Sequence, residues 1–376
     1  MARKPLAYTT KTQALSAHLI KMSRQLGPGA RLPTMAQLAE ETGTSVMTLN
    51  RALSELEAQG WVIRRQGSGT YVTERAGQNA VGLVYDREGF GLGESPFRSL
   101  LLHEAQRRAD DANERFSLFL ADPSQNVPVH PDLAEAIKTR RVSGLLYAAN
   151  SRSKALAWLL KQNLPIVALA YAPLAPYRVR INHAKTAEIG TRELIRQGCK
   201  RIALWMPVGV GLGPSESEGT FEELDAYQAA LAEGKLKFDP KLVYRLDEFN
   251  HQAAESGERV RNREQGQAAA HAVFERQDKA NWPDGVVCLD DDMTRGALAT
   301  WLHLGIKVGK EKDATLKVAS HTNKNSDLLW GFENTVTLLE FDPAEVAGAM
   351  FSMLETLLRD EEPESPVVSI APRLVG

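Results

Sequence analysis

Residues 32–72 read LPTMAQLAEETGTSVMTLNRALSELEAQGWVIRRQGSGTYV, and this stretch decides the fold of the N-terminal part. Thr34 stands where it caps a short helix over 35–42 whose Leu38 faces inward. Gly43 then supplies the sharp turn that two crossing helices need. Ser45, or Thr44, caps a second helix with Val46, Leu49, Ala52, Leu53 and Leu56 on its buried stripe, and Gly60 ends it. Two short β-rich runs, Trp61 to Arg65 and Thr70 to Val72, flank Gln66-Gly-Ser-Gly69 and predict a hairpin. Upstream, Leu15, Leu19, Ile20, Met22 and Leu26 recur at helical spacing over 11–26, and Gly27-Pro-Gly29 stops that helix. Two helices across a tight turn followed by a hairpin predict a winged helix-turn-helix DNA-binding domain.

Charge follows the same division. Residues 1–75 hold ten Lys and Arg against five acids, a net of +5, while residues 76–376 hold 35 against 42, a net of −7. The head therefore carries the electrostatic footprint of a DNA binder that the whole-chain net of −2 conceals. The 376 residues exceed what one core organises, and 43% hydrophobic content with 24% charge is that of a globular chain. Two cysteines, Cys199 and Cys288, are too few for a disulfide framework and lack metal-ligand spacing, which suits a reducing cytoplasm. No stretch of 18 apolar residues occurs, so no membrane partner is expected.

Within the head, Thr34, Thr44, Ser45, Thr48, Asn50 and Arg51 are candidates for DNA contact from the helices. Arg64, Arg65, Gly67, Ser68 and Gly69 are the candidates from the wing. A recognition helix offers its first turns to base edges, where Asn suits adenine, Arg suits guanine or phosphate, and Ser or Thr suits either. Residues 11–73 resemble the winged helix of the GntR (gluconate-repressor) family. The likeness rests on Pro28-Gly-Ala-Arg-Leu-Pro33, Leu38-Ala39, Ser45, Thr48, Ala52-Leu53, Leu56-Glu-Ala-Gln-Gly60 and Arg65-Gln-Gly-Ser-Gly-Thr-Tyr-Val72. Where members of that family often carry arginines, this chain has Ala36, Val46 and Asn50, which the resemblance implies alters the operator.

Beyond a short polar linker at 76–79, strand-like and helical segments alternate through residues 80–376. Strands are expected at 80–85, 117–121, 143–149, 165–172, 201–206, 241–246, 285–289, 316–320 and 366–370. Helices fall between them, at 96–115, 131–141, 153–162, 185–197, 221–233, 256–276 and 293–304, with a last one at 343–359. Alternation of this kind predicts α/β lobes with parallel doubly wound sheets and ligands held beyond the strands' carboxyl ends. Residues 80–376 resemble the periplasmic-binding-protein-like effector domain of the lactose/galactose repressor family. The segment from Ile181 to Ala203, Cys288-Leu-Asp-Asp-Asp-Met-Thr-Arg-Gly-Ala-Leu298, Val318-Ala-Ser-His-Thr-Asn323 and Ala371-Pro-Arg-Leu-Val375 carry the likeness. The expected fold is thus a winged helix-turn-helix head, 1–75, and a two-lobed effector-binding and dimerisation domain, 80–376.

Strand-end loops supply the ligand candidates: Asp86, Arg87, Phe90, Asn150 and Tyr171 in the first lobe, and Glu223, Phe249, Asp291 and Asn323 in the second. Carboxylates and amides pair with hydroxyl groups, and an aromatic ring stacks on a sugar face. The resemblance places the family's ligand-binding aspartate at Asp291, against the competing reading of Asp291 as a helix N-cap. It also places Glu223 where sugar-sensing members carry arginine, which implies another ligand chemistry, one with an amine, or a surface position. His103, His183 and His321 show no metal spacing and read as structural or surface residues, so neither metal nor cofactor is expected.

Enzyme readings fare worse. The glycines of Gly89-Phe-Gly-Leu-Gly93 and Gly209-Val-Gly-Leu-Gly213 miss the dinucleotide spacing, at Glu94 and Pro214. Neither a phosphate-binding loop nor a nucleophile elbow is present, and the body is shorter than an aminotransferase-like one. The expected function is a ligand-responsive transcriptional repressor. Its partners are a palindromic double-stranded operator, a small sugar-like or other polar effector, and a second copy of itself. The alternative is a small-molecule binding protein or enzyme whose head serves assembly.

Overall fold

The computed structural model describes residues 11–74, 80–86, 96–112, 114–121, 131–149, 154–170, 175–207, 222–245 and 262–375. The head comprises α1 (Lys11–Leu26), α2 (Met35–Thr42), α3 (Val46–Ala58), β1 (Val62–Arg65) and β2 (Gly69–Val72). Thr34 and Gln37 close a reciprocal capping box at the start of α2. At its end Gly43 takes a left-handed φ of 61°, and its N–H donates to the Ala39 carbonyl. Ser45 caps α3 by accepting from the Thr48 amide at 3.2 Å. β1 and β2 pair antiparallel with Val62 opposite Val72 and Arg65 opposite Gly69. The segment before α2 joins them, since Leu32 N–H donates to the Thr70 carbonyl and Val72 N–H to the Ala30 carbonyl. Leu19, Leu38, Leu49, Leu53, Leu56 and Trp61 lie at the centre of the resulting core. One sequence expectation fails here: Val46, expected on the buried stripe of α3, is 51% exposed; Leu26, at the end of α1, is exposed too. Both sit in end turns, where the helix's apolar stripe has run past the small core.

The body contains two six-stranded sheets. Its elements begin with β3 (Ala80–Asp86), α4 (Phe97–Asp111), β4 (Arg115–Ala121), α5 (Pro131–Lys138), β5 (Gly144–Tyr147), α6 (Lys154–Leu159), β6 (Ile166–Leu169) and β7 (Arg178–Ile181). They continue with α7 (His183–Arg196), β8 (Ile202–Met206), α8 (Glu222–Glu233), β9 (Val243–Arg245), α9 (Asn262–Phe274), β10 (Gly285–Cys288) and α10 (Asp291–His303). The last elements are β11 (Lys317–Asn323), β12 (Thr337–Phe341), α11 (Pro343–Leu358), β13 (Val367–Ile370) and β14 (Arg373–Val375).

Strand order is β13-β7-β6-β5-β3-β4 in the first sheet and β14-β12-β11-β10-β8-β9 in the second. Each sheet winds outward in both directions from a switch point, and in the second that point lies between β8 and β10. Every residue of β8 and β10 is buried, as strands covered on both faces require. The chain closes by returning to both sheets: β13 pairs parallel with β7, and β14 lies antiparallel against β12. Strands β7, β12 and β14 were not anticipated from the sequence. Arg178-Val-Arg-Ile181 and Arg373-Leu-Val375 are short and contain arginines, so neither stands out as an apolar run. No described helix is long and apolar enough to cross a membrane.

Candidate functional site

Two surfaces emerge, one on the head and one at the carboxyl edge of the second sheet. On the head, Thr34, Ser45, Asn50 and Arg51 are exposed, and Thr44 and Thr48 are half-buried. Thr34 and Ser45 act as caps. Thr42 and Thr44 share a 2.7 Å hydroxyl contact, and Ser45 and Thr48 share one of 2.9 Å. Asn50 is exposed one turn beyond Val46 and Met47. Arg51 lies 76% exposed, 3.5 Å from Glu55.

The two wing arginines diverge. Arg64 turns back on α3, its Nη2 donating to the Asn50 carbonyl and the Ser54 hydroxyl at 3.0 Å each, with its Nε 3.4 Å from Glu57. Arg65 instead lies 4.9 Å over the Tyr71 ring and remains exposed. Tyr71 shares a 2.7 Å contact with Ser68 at the tip. Gly67 and Gly69 both have positive φ, and a Cβ at Gly69 would lie 2.7 Å from Arg31 Nε, so the wing closes against Arg31.

At the second sheet, β10 ends at Cys288 and delivers three successive acids with three different surroundings. Asp290 is the cap of α10, its Oδ1 accepting from Met293 N–H at 2.8 Å and its Oδ2 from the Asn262 amide at 2.8 Å. Asp292 accepts from Arg263 through Nε and Nη2 at 2.9 and 2.7 Å, which ties α10 to the start of α9. Asp291 is therefore free of the capping role. It is 1% exposed, and Asn323 Nδ2, from the end of the neighbouring β11, donates to its Oδ2 at 3.2 Å. Burial, and then the charge of Asp290, push the Asp291 carboxyl well above the ordinary carboxylate range.

Beside this pair His321 stacks on Phe341 at 4.9 Å between ring centroids, and His183 stands 5.4 Å from His321. Both imidazoles are buried, so the surface alternative for them falls away. Burial pushes His321 down to about 4, against an opposing pull from Asn323, and holds His183 well below its usual value. His321 Nδ1 and Asn323 Oδ1 are buried with no hydrogen-bond partner of ordinary geometry. Sequence reading missed Asp290, Asp292 and Arg263. The available signal was the run of three acids ahead of a helix that needs only one cap.

Glu223 lies half-buried in the first turn of α8, and burial raises its carboxyl. Its neighbour Glu222 pairs at 2.9 Å with Arg180 on β7. His103 is exposed on α4. Asp86 ends β3, but its side chain lies outside the described residues, as do Arg87, Phe90, Asn150, Tyr171 and Phe249. Among the described residues no group of three or more His, Cys, Asp or Glu is arranged to hold a metal ion.

A winged helix and a doubly wound body with a polar, incompletely satisfied strand edge define a DNA-binding regulator with a sensor domain. Residues 12–72 match the bacterial regulatory proteins of the gntR family, and residues 191–376 match the periplasmic binding protein-like domain. The chain belongs to the transcriptional regulators that join a GntR-family winged-helix domain to a periplasmic-binding-protein-like domain. An arabinose metabolism transcriptional repressor of Halalkalibacterium halodurans is 23% identical over 312 residues, covering 78% of this chain and 77% of that one. A LacI-family regulatory protein from Chloroflexus aggregans has the same body fold, with a TM-score of 0.61 at 18% identity over 79% of this chain and 96% of that one. The transcriptional regulator CelR in its cellobiose complex superposes with a TM-score of 0.60 at 19% identity, over 92% of this chain and 99% of that one. These relatives are regulators of transcription, not enzymes.

Proposed function

We propose that the chain is a ligand-controlled transcriptional repressor that binds a two-fold-symmetric operator as a homodimer in the cytoplasm. Residues 1–75 act as the reader, 76–79 as the linker, and 80–376 as the sensor and dimerisation body. In the reader, Asn50 and Arg51 face the bases or phosphates, and Arg65 with the Gly67-Ser-Gly69 tip reaches the backbone beside the groove.

In the sensor, Asp291 and Asn323 hold a small polar effector. The observation that carries this reading is the buried polar edge beyond β10 and β11, where Asn323 Oδ1 makes no hydrogen bond of ordinary geometry, in the same chain as a winged helix. Hydroxyl groups of a ligand are the donors and acceptors that such an edge lacks. Glu223 points to a ligand bearing an amine, because a cation nearby offsets the cost that burial puts on its charge. Arabinose, cellobiose and glucosamine therefore make a sound first panel, spanning the neutral sugars named for relatives and an amino sugar.

The test is a mobility-shift titration of the full chain on its own upstream DNA at low salt, with and without each sugar. A specific complex, altered by one of them, is expected. No complex in any of these conditions refutes the reading. Ligands that bind only the folded chain also raise its melting temperature, which ranks the panel independently.

A further inference from the structure

The first turn of α3 carries an unusual outward face. Val46 is 51% and Met47 82% exposed at the N-terminal end of a helix whose Leu49, Ala52, Leu53 and Leu56 are buried further along. The polar groups around them are already engaged. Ser45 and Thr48 bond to one another, Arg64 is drawn to the Asn50 carbonyl and Ser54, and Arg51 lies beside Glu55. One amide, that of Asn50, shares this face, three residues after Met47 and four after Val46.

In the major groove the thymine methyl is the apolar group a base edge presents, and its partner adenine offers the donor–acceptor pair that suits an asparagine. The head carries a net charge of +5 on residues 1–75, with Arg31, Arg51 and Arg65 exposed, which favours a polyanion over an apolar protein surface as the occupant. Resting on the reading of this head as an operator binder, we propose that α3 selects A·T pairs, with Met47 and Val46 packed on thymine methyls and Asn50 on an adenine edge. Discrimination at those positions thus comes from apolar contact and one amide, without an arginine–guanine pair.

The test uses the full chain and the segment of its own upstream DNA that it binds. Each thymine is replaced in turn by deoxyuridine, which removes only the methyl group. At one or two positions per half-site affinity falls by about fourfold, the worth of one buried methyl. Met47→Ala binds the parent DNA about as weakly as the parent protein binds the uracil DNA, and no longer distinguishes the two. Its side chain supports no core contact, so the variant keeps the parent melting temperature. Uniform affinity across all uracil substitutions overturns the proposal while leaving operator binding intact, and so does undiminished methyl discrimination by Met47→Ala. A change of oligomeric state in Met47→Ala, with DNA affinity unaltered, assigns the face to a protein contact and also overturns it. Failure to bind any upstream DNA overturns both this proposal and the reading beneath it.

Discussion

Asp291, the residue proposed to hold the effector, sits where burial opposes its charge. Its carboxyl, raised by burial and by Asp290, prefers to be neutral, so the contribution it makes is complete at low pH and is lost as pH rises through its folded value. Asp291→Asn keeps the shape and removes the charge. The variant is expected to melt higher than the parent near pH 8, with the difference shrinking toward about pH 5, as calorimetry at both values will measure. A variant that melts lower at both values contradicts this. The buried imidazoles act in the opposite sense. With His183 and His321 held below their ordinary values, their contribution is present above about pH 6.5 and is lost as pH falls through about 4 for His321. His321→Gln should flatten that acid limb of the melting curve. On the head, Asn50→Ala should weaken specific operator binding by about tenfold, the lower part of the range for one base-edge contact, and leave non-specific binding unchanged.

At the scale of elements, α9 and α10 cross with almost no space between backbones. A Cβ on Gly266 would stand 1.9 Å from the Met293 carbonyl oxygen, and one on Gly296 would stand 2.0 Å from that of Arg263. Gly296→Ala must push the helices apart and should cost about 1–3 kcal/mol, read as a lower midpoint in urea. An unchanged midpoint would show that the helices slide without cost. This crossing also explains how much was legible beforehand. Periodicity in Leu49, Ala52, Leu53 and Leu56 placed α3, and the glycines placed the turns, because these signals are local. The pairing of Arg263 with Asp292 joins residues on two helices and left no mark at the level of spacing. Strands β7 and β14 went unseen for a related reason. β14 is a short return strand at a sheet edge, while β7 lies inside its sheet between β6 and the distant β13 and is broken by two arginines, so neither shows a local apolar run. At Asp291 the resemblance set a ligand role against a capping one, and the capping role belongs to Asp290 instead. Val46 was misplaced because a helical stripe continues in sequence beyond the core it covers.

For the whole molecule, charge is divided between reader and sensor, with a net of +5 on residues 1–75 against −7 on the rest. Operator affinity should therefore fall steeply with salt, the logarithmic slope counting about 0.9 per phosphate contacted. Arg65→Ala should lower that slope by about one. Arg64→Ala should act on stability instead, since its guanidinium is bound to α3. Sedimentation should give a species of about twice 41.4 kDa, the mass that two readers on one palindrome demand. Control by ligand requires that the effector favour one of two states, and the coupling is then reciprocal. The most direct measurement is the affinity of the full chain for its own upstream DNA, by fluorescence anisotropy, with and without the sugar that most raises its melting temperature. The expected result is a change of about 5- to 150-fold in the parent, and in Asp291→Asn the same ligand-free affinity with no response. DNA affinity indifferent to every sugar that binds, or an Asp291→Asn variant that responds as the parent does, would contradict it.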